Sequence, residues 1–269
     1  MANRGVGNGY PAIKAKARVL WTHDLPHSGF IPDPKTIKAF DRVVFMSRYA
    51  EKVWRAFYKE IGKSVFIPNG VDKEIFYPRD KDRGYMIYAS APNRGLKDLP
   101  LIVDSINTRV ESDTYCRAYS NLAKLHPNEG EDTFDYKSIH DSQVELHDPI
   151  PQHRLAAQIG KAGMLLLPSD YPEICSNVVL QALASGTPVI TTGRMGATGE
   201  WVKHKKNGML TTFRRNEYMI HTLQMVRNAV EVLENEWLHK KLMWGARNTK
   251  VHSWQQIGAK WECVLKKLS

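Results

Sequence analysis

An α/β protein, with parallel sheets covered by helices, is the fold class that this sequence predicts, and three observations predict it. Short β-rich apolar runs alternate with stretches of helical periodicity along most of the chain, the order expected when a crossover helix joins each strand to the next. Runs such as "MLLLP" (164–168) are apolar without interruption, which suits strands buried on both faces. At 269 residues, 42% hydrophobic and 25% charged, the chain can bury a sizeable core as one large domain or two modest ones.

The first three strands expected are "RVLWT" (18–22), "RVVFMS" (42–47) and "SVFIP" (64–68). Between the last two, "RYAEKVWRAFYKEIG" repeats its apolar residues at helical spacing and stops at Gly62. The polar, Pro- and Gly-punctuated stretch near residues 70–84 is the best boundary, with Asn69 and Gly70 read as turn residues. Strands resume at "YMIYAS" (85–90), "YCRAYS" (115–120), "VELHD" (144–148), "MLLLP" and "PVITT" (188–192). Helices fit between most of them, in "GLKDLPLIVDSINTRV", "PQHRLAAQIGKAG" and "CSNVVLQALASG". "VHSWQQIGAKWECVLKKLS" closes the chain as one amphipathic helix. The expected division is residues 1–77, 78–250, and a terminal helix at 251–269 that packs back toward the first part.

Charge and cysteine content narrow the function classes. Lys and Arg total 38 against 28 Asp and Glu, a net +10 that favours anionic partners such as nucleotides or an anionic membrane face. The positive residues are spread along the chain, with "KHKK" (203–206) and "FRR" (213–215) the densest spots. No zinc-finger, basic-zipper or RNP signature is present, so a nucleic-acid partner is not expected. No apolar run approaches the roughly 20 residues that span a bilayer, and the first residues lack the apolar stretch of a secretory leader. Cys116, Cys175 and Cys263 are widely spaced, which fits a reducing compartment rather than a disulfide framework or a zinc site. The cytoplasm is the expected location, with peripheral membrane contact or a partner subunit left open.

In an open parallel sheet, ligands bind beyond the carboxyl ends of the strands, where loops enter helix N-termini that carry partial positive charge. "MLLLPSDYPEICSN" is such a place: a strand end, a loop, and a helix start that Ser176 or Asn177 can cap. Glu173 lies in that loop, a single carboxylate at the mouth of an apolar helix. "DKD" (80–82) matches the DxD pattern of a cation site formally, but its position in the linker reads as a solvated acidic turn.

Several segments, in order, resemble the retaining GT-B glycosyltransferases, in particular the large family 4 group. They are "VFIPNGVDKEIFYP", "YASAPNRGLKDLPLIV", "LLLPSDYPEICSNVVLQALASGTPVITT" and "GATGEWVKHKKNGML". The resemblance implies a GT-B-like fold, with a Rossmann-type donor domain and a truncated N-terminal α/β domain. It also implies transfer of a sugar from a nucleoside-diphosphate-sugar to an acceptor, without a metal or other cofactor.

The same resemblance assigns roles. Glu173 faces the donor sugar, and Gln181, where the family carries a second Glu, binds the ribose. Arg94 matches one of two basic residues that neutralise the diphosphate. Ala91 stands at the other position, and Lys97, one turn on, is the substitute. Gly95 lets the backbone approach phosphate, while Ser176 and Asn177 present the helix N-terminus. "RVLWTHDLPH" is similar to the family's strand followed by a His that lies against the donor, which gives His23 a catalytic place; a packed loop histidine is the alternative. His27 makes an H-x-x-x-H spacing with His23, but Pro26 and a missing third ligand argue against metal. Glu200 in "GATGEWV" matches a family Glu, though a helix-start Glu explains it equally well. Only 17 residues precede the strand at Arg18, so the acceptor-binding portion is expected to be reduced and the acceptor is not readable. A nucleotide-sugar-binding module that needs a partner chain is therefore the alternative function.

Overall fold

The computed structural model describes residues 15–26, 37–111, 113–122, 139, 141–193, 196–212 and 218–268. These fall into two compact units, one of Met1–Gly70, Glu173–Cys175 and His252–Ser269, the other of Val71–Pro172 and Ser176–Val251.

The first unit holds a three-stranded parallel sheet in the order β1 (Val19–Trp21), β2 (Arg42–Phe45), β3 (Ser64–Phe66). Helix α1 (Arg48–Phe57) starts where the Ser47 hydroxyl accepts from the Ala50 N–H, satisfying one of the donors that a helix start leaves open. It buries Ala50 and Trp54, and the Trp54 indole N–H donates to the Asp24 carbonyl. The sheet's other partner comes from the far end of the chain. Val44 and Ile67 form a buried cluster with Ile257 of the terminal helix, and Trp21, Trp261 and Val264 pack against it. The spacing of 257, 261 and 264 puts all three on one helical face, so burial against this small sheet holds the helix in place. A capping box at Ser253 and Gln256 sets its start.

The second unit is a six-stranded, all-parallel sheet built from β4 (Asp82–Ala89), β5 (Tyr115–Tyr119), β6 (Val144–His147), β7 (Ala162–Leu167), β8 (Val189–Thr192) and β9 (Gly208–Thr211). Their spatial order is β6-β5-β4-β7-β8-β9. The chain therefore winds outward from β4 in one direction, returns, and continues from β7 in the other. That reversal makes the gap between β4 and β7 a topological switch point. Every residue of β7 is buried, as expected of a central strand with helices on both faces.

The covering helices are α2 (Leu99–Asn107), α3 (Gln152–Lys161), α4 (Asn177–Ala184), α5 (Thr198–Trp201), α6 (Tyr218–Glu234) and α7 (Glu236–Arg247); the terminal helix, Trp254–Lys266, is α8. The predicted strands are all present to within a few residues, and β9, α6 and α7 are additional. The stretch expected as one helix from Gly95 begins instead with two 3-10 turns, Pro92–Arg94 and Leu96–Asp98, before α2.

"DKD" differs from its sequence reading. Asp82 opens β4, and the Lys81 ammonium donates to the Gly160 carbonyl at 2.6 Å, the Ser185 carbonyl at 3.0 Å and the Thr187 hydroxyl at 2.6 Å. These acceptors lie just past or at the ends of α3 and α4, where helix C-termini concentrate partial negative charge. "KHKK" is an exposed turn, as a solvated basic stretch should be. "FRR" and His27 lie outside the described residues. Cys116 and Cys175 are buried free thiols, and burial pushes the Cys116 thiol far above its ordinary range, which makes it unreactive; Cys263 is exposed.

Candidate active site at the switch point

The carboxyl ends of β4 and β7 open onto two loops of the second unit, residues 90–98 and 168–172. The first is held tightly. Tyr88 donates its hydroxyl to the Ala91 carbonyl at 2.5 Å, and the Arg94 N–H closes a turn on the same carbonyl at 3.0 Å. Ser120, just past β5, donates to the Ser90 carbonyl at 2.8 Å, tying the neighbouring strand end to the loop.

Gly95 then takes φ +88°, in the left-handed region that favours glycine. A Cβ there would lie 2.2 Å from the Pro168 carbonyl oxygen. A residue without a side chain therefore lets the two loops of the switch point touch.

That contact brings Arg94 to the second loop. Its guanidinium carbon sits 3.4 Å above the centroid of the Tyr171 ring, and its Nη1 donates to the Asn93 side-chain carbonyl at 2.6 Å. Stacking of a guanidinium on an aromatic face is worth about 0.5–2 kcal/mol and fixes the plane of the group. Tyr171 carried no role in the sequence reading. The signal available was its position two residues before Glu173 in a loop already singled out.

Lys97 is exposed in the second 3-10 turn. Ser176 stands at the N-cap of α4, buried, but its side chain makes no capping hydrogen bond; Asn177 is the first helical residue and is exposed. Gln181 follows on the same helix, half-buried. Around the corner, at the carboxyl end of β8, the Thr192 hydroxyl lies 2.9 Å from His221 Nε2, and the Thr191 hydroxyl donates to the Leu167 carbonyl at 2.9 Å. Burial lowers the basicity of His221, with the Asp170 carboxylate pulling weakly the other way, so the ring is neutral near pH 7. Glu200 lies in the first turn of α5.

Glu173 and His23 both belong to the first unit. Glu173 is half-buried, in the short segment Glu173–Cys175 between β7 and α4. His23 follows β1, its ring 4.2 Å from that of Trp21, which in turn meets Trp261 edge-on at 4.9 Å. Among the described residues no group of three or more His, Cys, Asp or Glu is placed to hold a metal ion.

This topology and loop arrangement define an open, all-parallel α/β sheet with a topological switch point. Residues 125–228 match the family model described as "Glycosyl transferases group 1". The fold as a whole matches solved GT-B glycosyltransferases. Sucrose-phosphate synthase from Thermosynechococcus elongatus is 18% identical, with a TM-score of 0.68 over 87% of this chain and 60% of that one. The pneumococcal O-GlcNAc transferase GtfA, in complex with UDP and GlcNAc, is 14% identical, with a TM-score of 0.70 over 87% of this chain and 46% of that one. Anabaena HepE (Alr3699), in complex with UDP and glucose, is 14% identical, with a TM-score of 0.72 over 92% of this chain and 71% of that one. The chain thus spans roughly half to two thirds of the length of these structures. No curated protein sequence is significantly similar to it.

Proposed function

We propose that this chain is a glycosyltransferase that binds a nucleoside-diphosphate-sugar at the β4/β7 switch point and transfers the sugar with retention at the anomeric carbon. The observation that carries this reading is Arg94, a cation stacked on Tyr171 where the loops that follow β4 and β7 meet. A diphosphate leaving group gains negative charge as the glycosidic bond breaks, and a preoriented guanidinium with helix N–H groups suits that charge. The UDP and sugars seen with the GtfA and HepE structures support a uridine diphosphate donor here.

In this reading Arg94 and the first N–H groups of α4 bind the diphosphate, with Lys97 as a second cation. Gly95 lets the backbone approach phosphate, Ser176 and Asn177 present the helix N-terminus to the ligand, and Gln181 bonds the ribose hydroxyls. Glu173 orients the sugar hydroxyls, and His23 is the histidine that the family resemblance sets against the donor sugar. The acceptor hydroxyl attacks from the leaving-group side and its proton passes to a diphosphate oxygen. The reaction then asks for neither a protein base nor a metal or other cofactor. A binding module without transfer is the second reading, favoured by Ala91 and Gln181 standing where the resembled family carries a cation and a carboxylate.

Titration with UDP and a panel of nucleotide-sugars, followed by a donor-hydrolysis and transfer assay, separates the two. The transferase reading expects UDP-sugar binding, sugar release, and loss of release in Glu173→Ala with the melting temperature kept. Binding with no turnover of any donor would leave the module, and full turnover by Glu173→Ala would remove Glu173 from the site.

A further inference from the structure

Helix α7 carries a feature that the crevice does not use. Its buried residues are Leu238, His239, Leu242 and Ala246. With about 100° of rotation per residue, Trp237 and Trp244 fall on the ridge directly opposite that buried face. They are 68% and 69% exposed, the two most exposed large hydrophobic side chains among the described residues. The helix cannot roll to hide them. His239 Nε2 donates to the Gly163 carbonyl at 2.9 Å, and at Gly245 a Cβ would lie 1.8 Å from the Lys206 carbonyl oxygen, so the inner face is seated on backbone at two points.

Each flank of the ridge carries a lysine. Lys240 lies on one side, paired with Glu236 at 2.6 Å, and Lys241 on the other, its ammonium 5.0 Å from the Trp237 ring centroid. Lys250, just past the helix, is exposed, while Arg247 runs toward Gly186 and Lys81. Lysine is depleted from the cores of protein–protein interfaces, yet here Lys241 flanks the two indoles. Tryptophan beside lysine instead suits the headgroup layer of a bilayer, where the indole sits at the polar–apolar boundary and the ammonium meets lipid phosphate. The excess of +10 over the whole chain has the sign that an anionic surface attracts.

We infer that the Trp237–Lys241–Trp244 ridge of α7 docks the protein on a bilayer of anionic phospholipid. No described helix is long and apolar enough to cross a membrane, so this contact lies in the interface. It does not depend on the donor assignment.

Co-sedimentation of the 269-residue chain with phosphatidylcholine vesicles, with and without one-third phosphatidylglycerol, tests it. The wild type should partition onto the anionic vesicles and release at high salt. Replacing Trp237→Ser and Trp244→Ser together should cut partitioning by about tenfold or more, because binding follows buried apolar area. Lys241→Ala should cut it by about fivefold. Both variants should keep the wild-type melting temperature, since the altered side chains are exposed. No binding to anionic vesicles, or equal binding by the double Trp variant, would overturn the inference. So would a wild-type dimer in sedimentation equilibrium that the Trp variant dissociates, which would give the ridge to a second copy of the chain.

Discussion

Gly95→Ala is the sharpest test of the switch-point geometry. The new methyl would sit 2.2 Å from the Pro168 carbonyl oxygen and 2.7 Å from its carbon, both backbone atoms that no side-chain rotation can move. Alanine at φ +88° also adopts the left-handed conformation, at about 1–2 kcal/mol. Overlap with a packed neighbour adds about 1–3 kcal/mol, so a rigid loop would lose roughly 2–5 kcal/mol of stability. A yielding loop would save part of that by moving away from Pro168, and Arg94 would move with it off the Tyr171 ring. The measurement is therefore double: urea unfolding for the stability, and UDP titration for the crevice. Gly258→Ala is the control, an exposed position inside α8 where nothing lies within 4 Å of the added Cβ. It should gain about 0.5–1 kcal/mol through helix propensity alone. A Gly95→Ala protein within about 0.5 kcal/mol of wild type that binds UDP normally would refute both the contact and its link to the ligand.

Tyr171→Leu should raise the dissociation constant for UDP by about threefold to thirtyfold, the worth of the lost guanidinium–ring contact, while Tyr171→Phe should stay near wild type. Equal affinity in all three proteins would mean that Arg94 does not meet the diphosphate. A pH series should show a second effect at His239, whose basicity burial lowers in the fold. The unfolded chain protonates this ring first as pH falls through its ordinary value of about 6.5, so the stability that the neutral ring gives above that pH is lost below it. His239→Gln keeps an N–H for the Gly163 carbonyl without the titration. The stability gap between wild type and variant, read from urea unfolding, should narrow between about pH 7 and pH 5. A gap independent of pH would contradict the assignment.

How far the sequence could be read depends on how local each cause is. The strands are legible because β7 and β8 sit between helices, and burial on both faces writes itself as an unbroken apolar run. The loop between β7 and α4 is legible for the same reason: it is the break in that pattern. The stacking of Arg94 on Tyr171 is not legible, since neither residue departs from its local pattern and only the order of the strands makes their loops neighbours. Lys81 is the clearest case. Between two aspartates it reads as part of a solvated turn, yet its three acceptors come from 79 to 106 residues further along the chain. The Thr187 hydroxyl already donates its proton to the Ile159 carbonyl, so all three acceptors draw on the lysine's own N–H groups. Burial, with the Arg247 and Arg79 charges nearby, still draws the ammonium's pKa down to about 7, and the three acceptors are what hold the protonated form there. Charges of this kind are placed inside by the convergence of distant carbonyls, and a judgement that weighs each charge against its immediate neighbours puts them in water by default.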